Sequence, residues 1–310
     1  MILRSAILRL SQSGRVRRWM STVPAARRAA RRFVAGEELP EAIGAVRTLN
    51  AQGLMATIDH LGENTRTREE AVRAAQEYVR ILDAIEEHGL DANVSLKLTQ
   101  MGLDVDEELC HENVRRIVEH ARERGNFVRI DMESSAYTDR TLALYERLRE
   151  EGYANVGVVI QAYLYRSERD AERLIERGAN IRLCKGAYAE PPDVAFPKKR
   201  DVDRNFLKLL AKLWSPEAQA RGVYVAVATH DPKILEWARR YARDRKIPTE
   251  AFEFQMLYGV RRDLQRRLVE AGYRVRIYVS YGQEWYPYFM RRLAERPANL
   301  WFLVRNWLRA

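Results

Sequence analysis

The chain has 310 residues, 46% of them hydrophobic and 31% charged, which suits an ordinary globular protein with a sizeable core and excludes disordered and fibrous classes. Two cysteines, Cys110 and Cys184, cannot build a disulfide framework and suit a reducing, cytoplasmic setting, and no apolar run approaches the ~20 residues that a membrane span needs. The net charge of +10 resides almost wholly in the first 36 residues, which carry nine arginines and no acidic residue, so the body is near neutral and is not a nucleic-acid binder.

In chain order, the basic segment comes first. Ile2, Leu3, Ile7, Leu8 and Leu10 are spaced among its arginines in a way that fits a basic amphipathic helix on an anionic membrane surface, or equally a solvated helical arm. Residues 27–34 run without a break into the next helical pattern, so residues 1–48 are expected to form an N-terminal helical arm of the mature protein. Short β-rich apolar runs then alternate with stretches of helical period. The runs are 54–58, 93–98, 127–132, 156–162, 180–184, 223–229, 252–257 and 274–279. The helical stretches are 69–87, 107–124, 141–151, 168–177, 205–220, 232–246 and 261–271. Asp231-Pro232 is a helix start, with a capping carboxylate followed by proline at the first helical position. Strand starts recur every ~31 residues, the size of a βα unit, so eight units predict an α/β fold with a (βα)8 barrel over 49–283. The rival doubly wound sheet would carry a Gly-rich phosphate turn, and neither GxGxxG nor GxxxxGK[ST] occurs.

A barrel places its chemistry at the C-terminal ends of the strands. Seven runs end in groups able to bind or react: Lys97; Asp131 and Glu133; Gln161; Arg182 and Lys185; Thr229 and His230; Gln255 and Tyr258; and Tyr278. Lys97 faces opposite to Leu96 and Leu98, and an inward lysine needs an anion, either Asp131 as a structural partner or a ligand. Asp131 and Glu133, two apart on a strand, point to one side, but no further carboxylate joins them and no metal is expected. Arg182, Lys185 and Gly186 with Thr229-His230 make a candidate phosphate or cofactor cradle. A long connection opens with Lys185-Gly186-Ala187-Tyr188 and contains Pro191, Pro192 and Pro197; it is either a lid or an ordinary stiffened loop. Cys184 lies beside two cations without a histidine base nearby, and HExxH, GxSxG and a Ser-His-Asp order are absent, so nucleophilic hydrolysis has no support. After the last strand, residues 284–310 form a helix rich in aromatics, Trp285, Tyr286, Tyr288 and Phe289, followed by Arg291-Arg292, which can grip one carboxylate between them.

Taken together, Ser95-Leu96-Lys97-Leu98-Thr99, Arg129-Ile130-Asp131-Met132-Glu133, Val159-Ile160-Gln161-Ala162-Tyr163, Arg182-Leu183-Cys184-Lys185-Gly186-Ala187-Tyr188, Ala228-Thr229-His230, Phe252-Glu253-Phe254-Gln255-Met256-Leu257, Arg276-Ile277-Tyr278-Val279 and Tyr288-Phe289-Met290-Arg291-Arg292-Leu293 resemble the proline dehydrogenase family, in its bacterial monofunctional, FAD-dependent form. The resemblance implies a distorted barrel with the final helix over its mouth, and oxidation of L-proline to Δ1-pyrroline-5-carboxylate by hydride transfer to FAD. It implies that Lys97, Arg291 and Arg292 hold the proline carboxylate, that Tyr278 and Leu257 wall the ring, and that Tyr288 lies close by. Asp131 and Arg182 are implied as catalytic, the latter beside the flavin. Met132, Gln161, Arg182, Lys185, Gly186, Ala187, Tyr188, Thr229, His230 and Gln255 are implied to contact FAD. The family also implies reoxidation by a membrane quinone, which would give the basic arm a surface to dock on at the inner face of the cell membrane, and transient contact with a separate pyrroline-5-carboxylate dehydrogenase. Cys184, Ser280 and Tyr281 depart from the family's usual residues, and none is expected to touch the clamp. The alternative on the residues alone is a barrel enzyme acting on a phosphorylated small molecule held in the cradle.

Overall fold

A computed structural model describes residues 30–295. Eight parallel strands close into a barrel in sequential order: β1 (Met55–His60), β2 (Ala92–Leu96), β3 (Val128–Ile130), β4 (Val156–Gln161), β5 (Asn180–Cys184), β6 (Tyr224–Ala228), β7 (Phe252–Leu257) and β8 (Val275–Tyr281). Closure is made by β1 against β8, with Thr57 opposite Tyr278 and Asp59 opposite Ser280. The connecting helices are α1 (Leu39–Asn50), α2 (Arg68–Glu87), α3 (Glu107–Glu123), α4 (Thr138–Glu150), α5 (Ser167–Glu176), α6 (Lys199–Leu213), α7 (Pro216–Ala220), α8 (Pro232–Asp244), α9 (Arg262–Glu270) and α10 (Trp285–Glu295).

Local chemistry sets the helix starts. The Thr67 hydroxyl accepts from Glu70 N and opens α2, while the Asp106 carboxylate accepts from Leu109 N and opens α3. Asp231 caps α8 with Pro232 in its first turn, as its dipeptide predicts. The single helix expected over 205–220 is two, because Ser215-Pro216 starts a fresh turn there; the proline nitrogen cannot continue the preceding helix. The expected continuity of 27–34 into the next helix is also broken. Residues 31–38 are non-helical, and Glu38 with Glu41 forms a capping box that starts α1 anew at Leu39.

The strands read as apolar runs because one face of each is apolar. Ile58, Val94, Leu96, Val128, Ile130, Val158, Ile181, Leu183, Val225, Phe254 and Ile277 are fully buried in the core cluster that the helices close around the sheet. The alternate residues are polar to an unusual degree for a barrel interior, which branched aliphatic residues ordinarily fill. Arg129 of β3 donates to Val158 O and Asn180 O, and Arg276 of β8 donates to Glu253 and to Ala56 O. The inside of this barrel is therefore a hydrogen-bonded layer beneath the site.

A second apolar cluster lies over the mouth, where Ala30, Phe33 and Val34 pack with Leu61 and with Trp285, Tyr286 and Phe289 of α10. Ala35 N donates to Ser280 O and Gly282 N to Gly36 O, tying the segment before α1 to the end of β8. This anchorage presents Tyr288 and Arg292, four apart and so on one helix face, to the cavity below. The remainder of the expected arm, residues 1–29, and the rest of the expected C-terminal helix, residues 296–310, lie outside the described residues.

Candidate active site

One cavity of about 480 Å³ opens at the C-terminal ends of the strands. Each residue that the family resemblance implies for the site lines it where its side chain is described: Lys97, Asp131, Met132, Gln161, Arg182, Lys185, Gly186, Ala187, Tyr188, Thr229, His230, Gln255, Leu257, Tyr278, Tyr288 and Arg292. Arg291 lies in α10, but its side chain is outside the described residues. Glu133 and Tyr258 do not line the cavity. Glu133 turns away to accept from Thr99 N at 3.0 Å and Thr99 Oγ1 at 2.6 Å, so the expectation that it shares a side with Asp131 fails: β3 ends at Ile130 and strict alternation stops there.

Asp131 is the hub of the deeper end. Its Oδ1 accepts from Ser95 Oγ at 2.8 Å and from an Arg182 guanidinium N–H at 2.5 Å, and its Oδ2 accepts from the Tyr278 hydroxyl at 2.6 Å. Arg182 also lies 5.2 Å from the centre of the Tyr278 ring. Burial, and then the Asp131 charge, push the Tyr278 phenol well above its ordinary value, so it stays a hydrogen-bond donor.

Lys97 has a different first partner from the one expected. Its Nζ is 3.0 Å from Asp59 Oδ1 and 4.0 Å from Asp131 Oδ2. Burial works against the ammonium charge, but Asp59 and Asp131 together more than offset it and hold the group charged above its ordinary value. Asp59 is missing from the sequence reading because the apolar run stops at Ile58, whereas β1 pairs with β8 as far as His60. Continuing run 1 to the register of its neighbours would have found it. The Ser280 hydroxyl donates to Asp59 Oδ2 at 3.2 Å and so reaches the lysine through one intermediary.

At the other end of the cavity the expected cradle divides. Arg182 faces Asp131 and Gln255, whereas Lys185 is bridged between Asp203 at 2.6 Å and Asp231 at 2.8 Å. Burial would raise the Asp231 carboxyl, but hydrogen bonds and charge from Lys185 and Lys199 hold it down at about 2. Both cations of the supposed phosphate site thus already have carboxylate partners. Thr229 Oγ1 accepts from Asp231 N, and His230 Nε2 accepts from Leu257 N at 2.9 Å. Gly186 has φ +108, and a β-carbon there would lie 2.2 Å from the Tyr163 ring, so only glycine permits this close approach.

Cys184 lines the cavity, and burial pushes its thiol up to about 12; burial also raises Cys110. Both are protonated at neutral pH. The folded protein is expected to show no thiol reactive toward Ellman's reagent at about pH 8, and two after denaturation. A thiol titre in the native state would contradict this assignment.

Residues 42–305 match the family profile described as proline dehydrogenase. Proline dehydrogenase 1 of Bacillus subtilis (strain 168) is 43% identical over 309 residues, which covers 99% of this chain and 100% of that protein. The proline dehydrogenase of Deinococcus radiodurans is 42% identical over 284 residues, 90% of each chain. Among solved structures, proline utilization A of Bdellovibrio bacteriovorus, inactivated by N-propargylglycine, superposes with a TM-score of 0.80 at 28% identity, over 87% of this chain and 33% of its own. The present chain thus spans about a third of the length of that protein.

Proposed function

The chain belongs to the proline dehydrogenase family, and from that premise we propose that it oxidises L-proline to Δ1-pyrroline-5-carboxylate with FAD as hydride acceptor and a membrane quinone as the final oxidant. The observation that carries this reading is the gathering around one cavity at the strand ends of every described side chain that the family resemblance implies for the site. FAD, when bound, supplies the acceptor for the hydride that leaves the ring carbon next to nitrogen.

The residues suit that group. Gln161 Oε1 is buried without a hydrogen-bond partner on a residue that lines the cavity, an acceptor awaiting a donor. Gln255, also on the wall, gives its oxygen to Arg182 and one N–H to Glu253, and its second N–H is left to offer. One committed donor and one open acceptor match a ring edge that carries both carbonyl oxygens and an N–H. Thr229, whose Oγ1 accepts from Asp231 N, keeps its hydroxyl hydrogen and would donate to the remainder of the cofactor.

On the substrate side, Lys97 presents a permanent ammonium group, and Arg292 rests over the Tyr288 ring at 5.1 Å and lines the same cavity. Lys97 on a strand end and Arg292 on α10 would together hold a carboxylate, which would orient the substrate ring. Tyr278, braced by Asp131, and Leu257 form the wall against that ring. Asp131 holds Tyr278, Arg182 and Ser95 in place, a preorganising role that leaves neither of its oxygens idle.

The test is an absorbance spectrum taken without oxygen, before and after addition of L-proline. A flavin spectrum that bleaches supports cofactor and substrate in one step. A protein that stays colourless when supplied with FAD overturns the reading and returns the site to a phosphorylated substrate. The quinone step adds a membrane surface: no helix among the described residues is long and apolar enough to cross a membrane, so docking falls to the basic arm. Deleting residues 1–29 is expected to weaken co-sedimentation with anionic liposomes, with binding to neutral liposomes as reference; undiminished binding removes this part of the proposal.

A further inference from the structure

Glu253 lies outside the cavity wall, on β7, two residues before Gln255. It is buried, and its carboxylate has four polar contacts. It accepts from Arg276 Nε at 2.9 and 3.2 Å, from the Tyr224 hydroxyl at 3.0 Å, and from the Gln255 amide nitrogen. Gln255 Oε1 in turn accepts from Arg182 Nε at 2.5 Å. Burial would raise the Glu253 carboxyl, but Arg276 and the three hydrogen-bond donors around it hold it below its ordinary value, so at neutral pH it is ionised and can only accept.

This chemistry removes a choice. An amide side chain alone can sit either way round, yet a guanidinium only donates and an ionised carboxylate only accepts. Between Arg182 and Glu253 the Gln255 amide therefore has one stable orientation, oxygen toward the arginine. A flip would set N–H against N–H at one end and oxygen against oxygen at the other. The far side of Arg182 is pinned by Asp131 and Ser95, so the guanidinium is held at both its edges.

We propose that Glu253 is a positioning residue for the oxidation: by fixing the Gln255 amide from beneath, it holds the Arg182 guanidinium in the cavity wall and keeps the Gln255 oxygen turned toward that arginine. The inference rests on the flavin reading above. Arg276 and Arg129, buried on the same inner layer, make the carboxylate necessary for charge balance as well, so the test must separate positioning from folding.

The FAD-loaded protein, Glu253→Gln, Gln255→Ala and the double variant are compared by sulfite titration of the flavin spectrum and by the steady-state constants for proline. Sulfite adds to a flavin more tightly when a cation is held beside its ring. Glu253→Gln is expected to weaken sulfite binding roughly tenfold, the equivalent of one charged hydrogen bond, and to lower kcat more than it raises KM. The double variant is expected to be no worse than Gln255→Ala alone, because the carboxylate acts through that amide. Tyr224→Phe, which removes a different bond to the same carboxylate, is expected to leave sulfite affinity unchanged. If Arg276 without its partner prevents folding, Glu253→Leu/Arg276→Leu removes the charge pair together and is read in the same way. Sulfite affinity and kcat within about twofold of the unaltered protein, or effects that multiply in the double variant, overturn the proposal. A protein that binds FAD and bleaches with proline but ignores Glu253→Gln sinks this inference alone, whereas one that takes up no FAD sinks the flavin reading with it.

Discussion

Lys97→Met is expected to raise the KM for proline by on the order of a hundredfold and to lower unfolding stability by about 3 kcal/mol, because it deletes the only cation within ion-pair distance of Asp59 among the described residues. Asp59 is 1% exposed, so its charge cannot recover hydration once the ammonium is gone. The pH dependence follows from the direction of the lysine shift. A group whose folded value is raised contributes stability that is complete below its unfolded value and is lost only as pH rises through the folded one. The lysine's own share of the stability difference should therefore be constant between about pH 6 and pH 9. Urea titrations at three pH values and steady-state kinetics check both parts. A KM within about threefold of the unaltered protein would remove Lys97 from the carboxylate clamp, whatever happened to stability.

Asp131 should separate two variants that both remove its charge. Asp131→Ala leaves Arg182, Tyr278 and Ser95 without their shared acceptor, and kcat is expected to fall by on the order of a thousandfold. Asp131→Asn keeps one oxygen, which Arg182 must take because it can only donate. The amide nitrogen then faces Tyr278, whose hydroxyl can reverse and accept. The expected loss for asparagine is about tenfold, mainly from the missing charge beside Arg182 and Lys97. Stopped-flow reduction of the flavin by proline measures the step itself. Equal rates for the two variants would mean that Asp131 acts through its charge alone and does not orient its neighbours.

Much of this site was legible because a barrel converts chain position into location. Once eight apolar runs recur at regular spacing, the residue ending each run belongs to one rim, and polar residues there need no alignment to be recognised as candidates. Lys97, Gln161, Arg182, His230 and Tyr278 were found in that way, from residues far apart in the chain that only the closed sheet brings together. The same rule missed Asp59, since a run defined by apolarity ends at the first carboxylate even when the strand continues. It also misplaced Glu133, since period-two alternation holds only while the ladder does, and β3 is three residues long.

Periodicity, turn chemistry and the order of strand-end residues thus determined the architecture and the polar strand-end part of the cavity's lining, because these depend on local backbone preference and on which face of each element is apolar. Pairing was decided by the tertiary structure alone. Which carboxylate neutralises Lys97, that Lys185 is spent on Asp203 and Asp231, and which way the Gln255 amide faces all depend on distances of a few ångströms between strands. The reason is physical: burial by itself disfavours a charge, and a nearby opposite charge favours it, with a strength that changes over single ångströms in a poorly polarisable interior. A sequence shows which charges are present, and only the closed barrel settles which of them meet.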